Sequence, residues 1–180
     1  MNKLCSLYSF QLLSAGMLFL GSLSLLAEEK QTFKVSEFTF ELPAVWKKEK
    51  PSSSMRAAQL SAPGKSASDS AEVTFFYFGA RSGSVNANVE RWIKQFQNST
   101  DTKKTTKEIN GIKITYVQTD GTFMSGPPFG KKIAKKNYGL MAGILEGKSG
   151  NVFVKMTGPK ETTVSVTPAF KKMVEGAAKR

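Results

Sequence analysis

The sequence contains no histidine and only one cysteine, Cys5, in 180 residues. Without histidine, the commonest general base and the imidazole metal ligand are missing. Ser-His and Cys-His nucleophiles are excluded, as are zinc sites built on nitrogen or sulfur. One cysteine makes no intrachain disulfide, so the core alone must hold the fold. Acids are scarce, at 14 Asp/Glu against 26 Lys/Arg. Glu72, Glu90, Asp120 and Glu146 could serve as acid–base pairs only if folding brings two of them together. No tight acidic cluster or calcium loop is visible, and neither GxxxxGK[ST] nor GxGxxG occurs. These absences argue against an enzyme, a metal or a cofactor.

What is present is unevenly distributed. Residues 91–180 carry seventeen Lys/Arg against six Asp/Glu, whereas residues 1–90 are nearly balanced. A basic half suggests an acidic partner: a protein, a polymer or an anionic membrane surface. Nucleic acid is disfavoured, because the aromatics of this half (Trp92, Phe96, Tyr116, Phe153 and Phe170) fall at positions expected in the core. At the start, Lys3 precedes an apolar run over 12–27, and Ala27 stands before the polar "EEK". This pattern predicts a signal peptide over 1–27 and a periplasmic or extracellular domain over 28–180. An uncleaved anchor is the lesser alternative, since 10–27 is short for a span. Cys5 lies before the apolar run, not after it as a lipid-modified cysteine would.

Thirteen phenylalanines supply a core. "TFKVSEFTFELP" (32–43) alternates like a strand, with a break near Ser36, and Trp46 is expected to fold back on the sheet. "MRAAQLSAP" is a modest strand, and "EVTFFYFG" (72–79), aromatic on both faces, is a central one. Val85, Val89, Trp92, Ile93 and Phe96 form a helical stripe. Asn110-Gly111 marks a two-residue hairpin turn. Strands follow over 138–147 and 151–159, then a closing helix with Pro168 in its first turn. The order predicts one α+β domain: an antiparallel sheet of about six to eight strands with two packed helices.

This order, with "FELPAVW", "GSVNANVERWIKQF", "NGIKITYVQTDGTF" and "VFVKMTGP", resembles the Mog1/PsbP-like fold and small exported bacterial proteins of that type. PsbP-like proteins are generally accessory or assembly factors, so the resemblance implies a binding or accessory role in the bacterial envelope.

Two stretches are candidate sites. "GARSGS" (79–84) could hold an anion at a helix start through Arg81, Gly83 and Ser84, or simply form a turn and an N-cap. It would serve a small-ligand module using the sheet face, the alternative to surface binding. "GPPFGKKIAKKNYG" (126–139) carries Lys131, Lys132, Lys135 and Lys136 on an expected mobile loop of about fourteen residues. Phe129 and Ile133 within it are either pins to the domain or contacts for a partner. A cavity beneath this loop would favour the ligand; convex lysines would favour a surface.

Overall fold

A computed structural model of the chain describes residues 30–127 and 130–179. The predicted signal peptide and Phe129 lie outside the described residues. Strands β1 (Thr32–Val35) and β2 (Phe38–Glu41) form a small hairpin. Ser36, at φ 55°, makes the break between them that the sequence suggests. A seven-stranded sheet follows, in the order β3-β4-β5-β9-β8-β7-β6, and every pairing in it is antiparallel. Its strands are β3 (Lys47–Glu49), β4 (Ala58–Ala62), β5 (Ala71–Tyr77), β6 (Phe96–Ile109), β7 (Ile112–Ser125), β8 (Ile133–Gly147) and β9 (Gly150–Pro159). Helix α1 (Val85–Ile93) packs near β6 and β7, and α2 (Lys160–Ala178) packs on β8, β2 and β9.

The sheet is apolar on both faces because alternate residues of its inner strands feed two cores. Val73, Phe75, Val154, Met156, Met141 and Leu145 meet the β1–β2 hairpin and the Phe170, Met173 and Val174 face of α2. Phe153, Leu140, Ala142, Ile144 and Val117 meet Val89 and Trp92 of α1. Trp46 folds back into the first core, as expected. The β6–β7 turn uses Asn110 and Gly111, both at positive φ (50° and 77°), which is the two-residue type I′ geometry.

Three expectations need correction. The α1 stripe ends at Ile93, and Phe96 opens β6 instead. Helix α2 begins at Lys160, so Pro168 sits in its middle rather than its first turn. The earlier start is held by side chains: Thr162 Oγ1 donates to Asp69 O at 2.7 Å, and Thr163 Oγ1 donates to Pro159 O at 3.1 Å. Proline has no N–H to offer the carbonyl four residues back. That residue, Val164, lies on the exposed side, where water can serve its carbonyl. Finally, the loop expected within 126–139 is a hairpin: Phe123, Met124 and Ser125 pair with Lys135, Ala134 and Ile133. The pairing continues to Ser125 and Ile133, and Lys135 and Lys136 belong to β8. The glycines and prolines conceal paired strands on either side.

Candidate functional site

The basic hairpin tip is built by β7 and β8. Gly126, at φ 136°, starts the turn, and a Cβ there would come 2.7 Å from Lys131 O. Lys132 Nζ then donates to Gly126 O at 3.2 Å and to Pro127 O, so this lysine braces its own turn. Lys135 Nζ lies 5.2 Å from the Tyr138 ring centroid, and Tyr138 stacks on Phe123 at 6.2 Å. Phe123 in turn stacks on Phe96 at 5.1 Å, which ties the tip's root to the α1 core. None of the four lysines forms an ion pair with a carboxylate among the described residues. Between them Ile133 is 63% exposed. An apolar side chain framed by unneutralised lysines is suited to an anionic surface with an apolar layer below it.

The Gly-Ser stretch folds as a one-turn 3-10 segment, Gly79–Arg81, followed by the α1 N-cap. Gly83 takes φ 74°, and Ser84 Oγ accepts from Ala87 N at 3.2 Å. Buried Asn88 fastens the turn, donating to Ser82 O (3.1 Å) and Ser84 O (2.9 Å). Of the three residues singled out, Ser84 lines a shallow cavity of about 410 Å³; Arg81 and Gly83 do not. The cavity's other polar groups include Asn86, Lys104, Lys113, Thr115 and Glu146. Lys104 Nζ donates to Asn86 Oδ1 at 2.7 Å, and Lys113 lies 3.7 Å from Glu146. Sequence reasoning missed both lysines. They share a face because β6 and β7 pair Thr106 with Thr115 and Glu108 with Lys113, and only that register shows it.

Three of the four carboxylates each face a different basic residue. Glu72 pairs with Arg56 at 2.6 Å, and Asp120 with Lys160 at 2.9 Å; Glu146 faces Lys113. Burial pushes the Asp120 carboxyl up, but hydrogen bonds from Lys160 and Thr100, with the Lys160 charge, hold it below its usual value. No cluster of three metal-ligating acidic, His or Cys side chains exists among the described residues.

Lys155 is a group the sequence does not flag. It stands on β9 between Gln95, whose Oε1 accepts from its Nζ, and the Phe123 ring, 5.1 Å away. Burial, the largest cause, lowers its pKa from 10.5 to about 8; Arg91 and Arg56 lower it further, and Glu72 opposes them. Below pH 8 the folded state therefore holds a poorly hydrated charge. Between pH 8 and 10.5 the unfolded chain binds more protons, so stability rises with pH there. Lys155→Met should be more stable than the parent at pH 7 by about 1–2 kcal/mol. The advantage should shrink towards pH 10.5, as urea midpoints of both proteins at pH 7 and pH 10 would show. A variant less stable at pH 7, or a pH-independent difference, would contradict this account.

No protein-family model matches the chain, and no curated protein matches it. Solved structures do. A Pseudomonas aeruginosa protein of unknown function, described as a candidate regulator, superposes with TM-score 0.51 and 13% identity, over 84% of this chain and 97% of that one. Cyanobacterial PsbP (CyanoP) from Synechocystis sp. PCC 6803 superposes with TM-score 0.52 and 9% identity, over 86% and 95%. The chain has the Mog1/PsbP-like α+β fold. Among the described residues, no helix is long and apolar enough to cross a membrane.

Proposed function

We propose that the protein is an exported, non-catalytic accessory factor of the bacterial envelope that docks its basic β7–β8 tip on an acidic surface. The observation that carries this is the tip itself: four lysines with no carboxylate partner among the described residues, around exposed Ile133. The apolar leader pattern supports export. The fold's likeness to PsbP and to a candidate regulator supports a role exercised through binding. Neither of the two cavities described for the fold is lined by the tip, which favours a convex contact there over a buried ligand.

The test is co-sedimentation with vesicles containing anionic lipid at low and high salt, using protein prepared from the full sequence. A lysine near an anionic membrane contributes about 1 kcal/mol. Lys132 spends its amine on the turn and Lys135 leans on Tyr138, so Lys131 and Lys136 should dominate. Changing all four lysines to Ser should weaken binding by about thirtyfold, for roughly 2 kcal/mol, and flatten its salt dependence. Equal binding by both proteins would sink the proposal, and so would none by either.

A further inference from the structure

A second feature lies away from the tip, where the C-terminal half of α2 runs beside the segment joining β2 to β3. Together they form an open groove of about 1100 Å³. Leu42, Trp46 and Met173 contribute apolar lining, and Lys172 and Lys179 stand exposed along it. The two lysines are seven residues apart, Lys172 on α2 and Lys179 at its C-cap in helical backbone, and so lie on one side of the helix. The groove's two carboxylates are already matched, Glu41 by Lys30 at 2.9 Å and Glu175 by Lys107 at 2.7 Å. What remains at the rim is positive charge above an apolar floor.

The groove also contains the fold's most unusual backbone position. Val45 adopts φ 65° and is 78% exposed. A β-branched residue strongly disfavours that left-handed region, and here it gains no burial in return. Asn or Gly would satisfy the turn with less strain. Strain that folding does not require, set at the mouth of a groove, is explained if the isopropyl group contacts something that binds there.

We propose that this groove binds a single-chain anionic amphiphile of the fatty-carboxylate class. The acyl chain lies on Leu42, Trp46 and Met173 under the Val45 side chain, and the carboxylate meets the Lys172–Lys179 rim. A concave apolar floor suits a chain, and the two lysines, which have no carboxylate partner among the described residues, supply charge complementarity to its head. This site is independent of the hairpin tip.

Trp46 in the groove provides the readout. A dibrominated stearate, kept below its micelle-forming concentration, should quench tryptophan fluorescence of the protein prepared from the full sequence, and saturably. Lys172→Glu with Lys179→Glu, both exposed positions, should raise the half-saturating concentration about tenfold or more. The uncharged methyl ester of the probe should bind correspondingly weakly. Val45→Asn should fold at least as stably as the parent yet bind the probe more weakly. The tip variant lacking Lys131, Lys132, Lys135 and Lys136 should bind it like the parent. Unsaturable quenching overturns the proposal, as does equal affinity for acid and ester or an unchanged half-point in the charge-reversed protein. Loss of binding in the tip variant overturns it too, by placing the amphiphile at the tip. Displacement of the probe by an acidic amphipathic peptide at lower concentrations than by oleate would overturn it in favour of a peptide occupant.

Discussion

Phe75→Ala should cost about 4 kcal/mol and release the β1–β2 hairpin from the domain. Phe75 is fully buried on β5, and its ring packs edge-on against Phe33 of β1 (5.1 Å) and Phe40 of β2 (5.0 Å). Phe33 and Phe40 stack on each other at 5.6 Å. A two-stranded hairpin is at best marginal alone in water, so β1–β2 depends on this aromatic cluster and on α2. Removing the central ring leaves a cavity bordered by two elements that pair with different sheets, and neither can collapse into it without breaking its own register. The loss would take a large share of the 5–15 kcal/mol typical of a domain. Amide exchange over residues 32–41 should accelerate more than exchange in β8. Phe153→Ala, on the other face, should destabilise the α1 core while leaving hairpin exchange closer to the global rate. A loss below roughly 1.5 kcal/mol for Phe75→Ala would refute this placement of the cluster, as would unchanged protection of 32–41.

What could be read in advance was what depends on near neighbours. Asn110-Gly111 requires positive φ at two adjacent residues, and few other dipeptides provide it, so the β6–β7 turn was visible in two letters. The alternation of Phe38 and Phe40, and the α1 stripe through Val89 and Trp92, are likewise local patterns that burial reproduces. The start of α2 was hidden because its support is remote: Thr162 bonds to Asp69, 93 residues away. Thr162 and Thr163 look like poor helix residues until those partners are present. The β8 strand reaches back to Ile133 because Ser125, Met124 and Phe123 lie opposite to pair with it, whereas the glycines and prolines between suggest a loop.

The candidate sites divide in the same way. The four tip lysines were legible as a cluster because they are contiguous. The Ser84 cavity was half legible, since its N-cap is a local motif but Lys104 and Lys113 join it only through strand register. The groove was not legible at all. It brings Leu42 and Val45 against Met173 and Lys179, more than 120 residues apart, and nothing in "PAVWKK" indicates that Val45 will take a left-handed backbone.

Gly158→Val should cost about 3 kcal/mol, because Ala71 of β5 leaves no room there for a side chain. Gly158 sits near the end of β9, directly before the chain turns into α2, and pairs with Gly139 of β8. A Cβ at 158 would come 2.6 Å from the Ala71 Cβ and 2.7 Å from its Cα. The second distance matters more, since a methyl group can be trimmed but a backbone carbon cannot. Ala71 is fully buried at the start of β5, so it has no free side to move towards. The Gly158 carbonyl also accepts from Thr163 Oγ1 at 3.3 Å, so displacement of β9 would disturb the first turn of α2. Gly158→Ala should show the same defect in smaller form, about 1–2 kcal/mol. Ala71→Gly should rescue it only in part, relieving the clash with the methyl group and leaving the one with the backbone. Urea unfolding of the four proteins in this cycle measures the coupling directly. Additive losses, or a Gly158→Val protein as stable as the parent, would show that β5 and β9 are not in fact held this close.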